Sequence, residues 1–155
     1  MHHHGYLWAG PKARLDDEAL RRPAHPDPPP AGNRPELIHR HREVVAEFPR
    51  VDLPPLETAY WLIKPADLIR GTWQQSQGAA GWLSGQLAAH APRFATSADR
   101  DPRRLEALSR SAAERLARGH DVSLGFYLER PTFLSLALVC CTPNHAKPHL
   151  PCPLR

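Results

Sequence analysis

The chain contains little cysteine and no long apolar segment. Its three cysteines are an odd number and all follow residue 139, which does not match the disulfide framework of a small secreted domain. The N-terminal sequence MHHHGYLWAG lacks the apolar stretch of roughly 7 to 15 residues found in export signals. No segment approaches the roughly 18 apolar residues of a membrane span. We therefore expect a cytoplasmic protein without a membrane partner, whose thiols are reduced or bind metal.

Familiar catalytic and nucleotide-binding motifs are also missing. The sequence has no Gly-x-Ser-x-Gly elbow, no phosphate loop and no dinucleotide-binding fingerprint. The nearest hint of a catalytic group is the pair His120 and Asp121, which are ordinary turn residues before a predicted strand. The sequence thus disfavours an enzyme and favours a small non-enzymatic binding or regulatory protein, most simply one with a protein partner.

Basic and acidic residues are nearly balanced in the central part of the chain. The net charge is +4, but residues 36–142 carry thirteen basic and twelve acidic side chains. A nucleic-acid-binding domain usually shows a clustered basic footprint. The charge distribution therefore weakens a nucleic-acid function without excluding a basic face.

Proline divides the chain into three parts. Of 18 prolines, ten lie from Pro11 to Pro55 and four follow residue 142. Proline-rich segments favour extended conformations without internal hydrogen bonds. We predict a flexible proline- and histidine-rich tail over residues 1–35, a single α+β domain over 36–142, and a proline-rich tail over 143–155.

Hydrophobic periodicity and capping residues locate the helices. Apolar residues recur at helical spacing from Glu36 to Phe48, and a similar rhythm predicts a helix over 66–90 that breaks near Gly71 or Gly78. The clearest helix runs over 101–118, since Asp101 and Pro102 are typical of a helix start and Gly119 of a helix end. The glycines of the second helix are interpreted as sites of close packing.

Three apolar segments are predicted to form strands. Residues 58–63 are short, aromatic and branched, and residues 122–128 and 132–141 are separated by a short turn. The last segment is apolar on both faces, which is typical of an inner strand. The expected fold is α+β, with about three helices packed on a small, mainly antiparallel sheet.

A winged-helix arrangement is the alternative fold, and it would give DNA as the partner. Residues 101–118 would then be the recognition helix, and its DNA-facing residues would be Arg103, Arg104, Arg110 and Arg115. Two features oppose it: the connection between the middle helices is long, and the two candidate wing strands are too apolar for a solvated wing.

A cluster of cysteine and histidine residues near the C-terminus predicts a possible zinc site. The segment from Cys140 to Cys152 holds five zinc-competent donors, and the candidate ligand set is Cys141, His145, His149 and Cys152. This set gives a further alternative function, a zinc-binding protein or a metal-dependent or thiol enzyme that uses the C-terminal cluster. The competing interpretation is that the first cysteines end a buried strand and the remaining donors lie in a disordered tail. His2, His3 and His4 are given no role, because they are either native or the remnant of a purification tag and bind metals adventitiously.

Overall fold

Four strands and five α-helices make up the fold, together with short 3-10 helices. A computed structural model describes all residues 1–155. The α-helices and strands, in chain order, are β1 (His2–Pro11), α1 (Lys12–Asp16), α2 (Pro35–Glu47), β2 (Ile69–Trp73), α3 (Ser76–His90), α4 (Ser97–Arg100), α5 (Pro102–Ala117), β3 (Val122–Tyr127) and β4 (Thr132–Cys141). The 3-10 helices are Glu18–Arg21, Thr58–Ile63, Ala66–Leu68 and Ala91–Arg93. The α+β expectation is confirmed.

The sheet is antiparallel throughout, with strand order β2-β1-β4-β3. Strand β1 pairs with β4 along its whole length, from His2 opposite Cys141 to Pro11 opposite Thr132. This corrects the flexible tail expected over residues 1–35, because residues 2–11 form an inner strand. The pairing partner lies about 130 residues away in sequence, so no local pattern reveals it.

Residues 58–63 differ from the predicted strand, since they form a 3-10 helix. Their apolar side chains reflect burial against the sheet, where Trp61 stacks on Tyr6 with ring centroids 4.6 Å apart. Trp73 ends β2, a strand inside the segment 66–90 that was predicted to be a helix broken near Gly71 or Gly78. Gly71 lies in this strand, and the Trp73 indole packs against it so closely that a Cβ there would lie 2.5 Å from the ring.

The remaining helix and strand predictions are confirmed. Helix α5 begins after Asp101, whose side chain accepts a 2.9 Å hydrogen bond from the Arg103 N–H, and the chain turns at Gly119 with φ of 79°. Strand β4 lies between β1 and β3 and is buried from Leu134 to Cys141. An inner strand of this kind is not the solvated wing of a winged-helix domain.

The two faces of the sheet are covered differently. Helices α3 and α5 cover one face, with a core that includes Leu83, Leu87, Leu116, Phe126, Leu134, Leu136 and Leu138. The 3-10 helix at 58–63 and the C-terminal segment cover the other face, where Tyr6, Trp61, Leu62, Val139, Cys141, Leu150 and Cys152 meet. None of the helices is both long and apolar enough to cross a bilayer.

The C-terminal residues 143–155, expected to be a tail, return across this second face. Asn144 is fully buried, and its Nδ2 donates to the Cys140 carbonyl oxygen at 2.8 Å. Its Oδ1 accepts hydrogen bonds from the backbone N–H groups of Ala146 and Lys147, at 3.0 Å each. Leu150 and Cys152 are then buried against the sheet. The Asn144 hydrogen bonds thus fix the turn after β4, and the chain that follows places Cys152 near the first residues of β1.

Candidate metal centre

Three distant segments bring four potential metal ligands together. Side chains two residues apart in a strand share a face, so His2 and His4 of β1 project on the same side of the sheet. Cys141 lies directly opposite His2 on β4, and Cys152 arrives from the C-terminal segment. The donor atoms of these four residues all lie within 4.8 Å of one another.

Five of the six donor–donor distances are close to the edges of a zinc tetrahedron. Around the Nε2 atom of His2, the Nε2 of His4 lies at 3.1 Å, the Sγ of Cys141 at 3.1 Å and the Sγ of Cys152 at 3.3 Å. The His4 Nε2 lies 3.4 Å from the Cys141 sulfur and 3.6 Å from that of Cys152. Zinc bond lengths of about 2.0–2.1 Å to nitrogen and about 2.3 Å to sulfur give tetrahedral edges of roughly 3.3 Å for N···N and 3.6 Å for N···S.

Hydrogen bonding alone does not account for this convergence. A neutral imidazole Nε2 either donates one proton or accepts one, and a thiol is a weak donor. The Nε2 of His2 nevertheless faces three donor atoms within 3.3 Å, and that of His4 faces three within 3.6 Å. A single cation between these four atoms would satisfy them better than pairwise hydrogen bonds do.

The neighbouring strand orients one of the imidazoles. Thr72 of β2 lies opposite His4 in the sheet register, and its Oγ1 is 2.8 Å from His4 Nδ1. When Nδ1 carries the proton and donates it to Oγ1, the Nε2 lone pair is directed at the three other donors. Partners of this kind fix the tautomer and the ring orientation of metal-binding histidines.

Burial shifts the pKa values of His2, His4 and Cys141. Burial, with the nearby His2 and His3, lowers the pKa of His4 to about 4, and burial also lowers the pKa of His2. Both rings are therefore neutral at neutral pH, which is the form that binds metal. Burial raises the pKa of the Cys141 thiol to about 11, so a bound cation is needed to hold it as a thiolate.

The surroundings of the four donors are apolar. Cys141 and Cys152 are buried beside Tyr6 and Trp61, and only His2 is half-exposed. The Tyr6 hydroxyl is buried without a hydrogen-bond partner, and burial together with the two cysteines raises its pKa. Four protein donors fill a tetrahedral shell and leave no position for substrate or water, as in structural zinc sites.

Only part of the C-terminal set predicted from the sequence comes together. Cys141 and Cys152 lie in the cluster, whereas the His145 ring packs edge-on against His120 with centroids 4.8 Å apart. His149 is exposed. The two histidines that join the cysteines are instead His2 and His4, which sequence reasoning set aside. The alternation of His2, His4, Tyr6 and Trp8 was the signal that they share one face of a strand.

Cys140 belongs to the opposite face of the sheet and has a different environment. Its Sγ lies 3.2 Å from His3 Nδ1, and its backbone N–H donates to Asp121 Oδ1 at 2.8 Å. Asp121 is held further by Asn144 Nδ2, which lies 3.0 Å from both carboxylate oxygens. Burial raises the pKa of the fully buried Cys140 thiol to about 12, which favours its protonated form.

The four arginines considered for DNA contact all lie on α5 and are exposed, but they do not form one stripe. Helical spacing places Arg104 and Arg115 on one face and Arg103 and Arg110 on another. Arg104 Nε is 3.4 Å from Asp99 Oδ1, and Arg115 Nη2 donates to the Asp121 carbonyl oxygen at 3.0 Å. Contact between these arginines and DNA stays a prediction.

Comparisons with protein-family models, with curated proteins and with solved structures give no match. The functional argument therefore rests on the geometry of the four-residue cluster.

Proposed function

We propose that the protein binds one zinc ion through His2 Nε2, His4 Nε2, Cys141 Sγ and Cys152 Sγ. The supporting observation is the set of five donor–donor distances between 3.1 and 3.6 Å, which fit tetrahedral edges around one ion. Two imidazoles with two thiolates are a ligand set typical of zinc, since hard cations such as Mg²⁺ and Ca²⁺ prefer oxygen.

The proposed role of the ion is structural. It joins the first residues of β1 and the end of β4, which are paired in the sheet, to the C-terminal segment that carries Cys152. A zinc ion with four protein ligands has no open position for a substrate, which supports a structural and not a catalytic ion. The protein would then be non-enzymatic, with a binding or regulatory function. The three free thiols support a reducing compartment such as the cytoplasm.

Zinc content is the direct test of the site. The protein is expressed without any added histidines, purified without a metal column, and analysed for metals by mass spectrometry. We expect about one zinc per chain in the wild type and a loss of most of it in Cys152→Ser and His4→Gln. A wild-type protein without stoichiometric metal, after expression in zinc-supplemented medium, overturns the proposal.

Matched histidine variants separate this ligand set from the C-terminal set. His145→Gln and His149→Gln change exposed residues outside the cluster and are expected to retain the full zinc content. Zinc loss in these variants together with zinc retention in His4→Gln would assign the metal to Cys141, His145, His149 and Cys152 instead. Cobalt substitution adds a spectroscopic check, because tetrahedral cobalt with thiolate ligands absorbs strongly in the visible and near-ultraviolet.

A further inference from the structure

Strand β3 forms an open edge of the sheet, because β4 is its one neighbour. Leu124 lies opposite Leu136, and the Leu128 N–H donates to the Thr132 carbonyl oxygen, so the even-numbered residues of β3 direct their backbone groups at β4. In an antiparallel pair the alternate residues point the other way. The backbone N–H and C=O groups of Ser123 and Gly125 therefore point away from the sheet.

The two ends of this edge are covered by other parts of the chain, and its middle is not. The Tyr127 carbonyl oxygen accepts a 2.8 Å hydrogen bond from the Ala95 N–H, and the Asp121 carbonyl oxygen accepts from Arg115. Between them, Ser123 and Gly125 are exposed and carry no lysine, proline or bulge of the kind that protects outer strands from pairing. Two donors and two acceptors are thus available to an added strand.

A groove runs beside this edge, between β3 and α5. It encloses about 350 Å³ and is lined by Leu108, Ser111, Ala112, Arg115, Val122, Ser123 and Leu124. Leu108 and Leu124 are half-buried, so their apolar surface is accessible within the groove. A strand paired with β3 directs every second side chain towards the groove. The edge supplies main-chain hydrogen bonds, and the groove supplies apolar contacts for alternate residues.

The charge of α5 indicates which strand fits. Helical spacing places the basic residues Arg104 and Arg115 on the face of α5 that lines the groove, and the acidic Glu106 and Glu114 lie on other faces. Arg115 lies in the wall of the groove itself. A second copy of the chain, paired through its own β3, would bring two such positive helices side by side. An acidic segment instead gains from the helix, because opposite charges strengthen association.

We propose that the β3 edge and the α5 groove bind an extended acidic peptide of a partner protein by strand addition. The peptide pairs with the backbone of Ser123 and Gly125, places apolar side chains over Leu108 and Leu124, and sets a carboxylate against Arg115. This interaction does not depend on zinc coordination, because none of these residues belongs to the metal cluster.

The test measures binding of defined peptides to the full chain by fluorescence anisotropy. The probe is a fluorescein-labelled octapeptide in which valine or threonine alternates with glutamate, and its control carries lysine at each glutamate position. Ser123→Pro removes an outward N–H that takes no part in the β3–β4 ladder, which an outer strand tolerates. Ser123→Ala is the matched control because it keeps that N–H. Unchanged zinc content and near-ultraviolet circular dichroism verify that both variants fold.

We expect the glutamate peptide to bind and the lysine peptide to bind more weakly. Ser123→Pro is expected to weaken binding about tenfold, and Ser123→Ala less than about twofold. Arg115→Glu should reverse the preference between the two peptides. Absence of binding by the glutamate peptide, binding insensitive to Ser123→Pro, or preference for duplex DNA over the peptide each overturns the proposal. A wild-type dimer that Ser123→Pro dissociates also overturns it, since the edge would then pair with a second copy.

Discussion

Lys64 makes the stability of the sheet face that carries the candidate metal site depend on pH. Its side chain is only 2 % exposed, and its Nζ donates to the Phe48 carbonyl oxygen at 2.6 Å and to the Val51 carbonyl oxygen at 2.8 Å. The ammonium also lies 3.9 Å from the centre of the Phe48 ring. Lys64 directly follows the 3-10 helix at 58–63, so these bonds hold that cover of the sheet against the segment after α2.

Burial of the charged Lys64 side chain lowers the free energy of unfolding at neutral pH. Burial lowers the pKa of Lys64 from 10.5 to about 8, although Asp52 opposes this. Between these two values the unfolded chain keeps the proton while the folded chain has released it, so the free energy of unfolding rises with pH. A difference of about 2.5 pKa units corresponds to roughly 3 kcal/mol, gained progressively from about pH 8 to about pH 10.5 and absent below about pH 7.

Urea unfolding followed by tryptophan fluorescence, in pH steps from 7 to 10.5, measures this gain. Lys64→Met is the comparison, because methionine keeps much of the apolar stem and does not titrate. Cysteine, tyrosine and N-terminal titrations affect both proteins and cancel in the difference. We expect the stability of the wild type relative to Lys64→Met to increase by about 2–3 kcal/mol across the range. A difference that stays flat, or that falls with pH, refutes the assignment of a depressed lysine pKa.

Two further substitutions test the site support and the packing. Thr72→Val removes the hydroxyl partner of His4 while keeping the side-chain shape. Zinc should still bind at about one per chain, but about 10-fold more weakly, as measured by competition with a chromophoric chelator. Thr72→Ser, which keeps the hydroxyl, should bind zinc as the wild type does. Gly71→Ala places a Cβ against the Trp73 indole and is expected to lower the free energy of unfolding by about 1–3 kcal/mol, measured by urea titration. Gly81→Ala, where no atom lies within 4 Å of the new Cβ, is its control and should be neutral or stabilising by up to about 1 kcal/mol.

The elements that the sequence predicted are those defined by local chemistry. Helix α5 is set by the Asp101 cap, the following proline and the final glycine, and the β3–β4 hairpin is set by two apolar runs around a short turn. Residues 58–63 were assigned to the wrong class because burial against a sheet face selects the same aromatic and branched residues as a strand does. Residue composition therefore indicates that this segment is buried, but not whether its backbone forms a strand or a helix.

The candidate metal site was likewise only partly predictable from the sequence. Cys141 and Cys152 were candidates because several donors lie close together in sequence, whereas His2 and His4 reach them only through the pairing of β1 with β4. Register between strands so far apart in sequence is set by tertiary packing. The run His2 to His4 also resembles a purification tag, so its sequence alone does not identify these histidines as ligands.

The placement of the proposed zinc at the chain ends has an energetic consequence. Strand β1 pairs with partners more than 55 residues away in sequence. Its docking therefore closes large loops, and its contacts have to offset the entropy of loop closure. Helix α5 and the β3–β4 hairpin carry their own local signals and need no such help. A cation that links residue 2 and residue 4 to residues 141 and 152 acts where the chain entropy is greatest, as a cross-link closing a long loop does. The proposed zinc would therefore stabilise the inner strand that local sequence supports least.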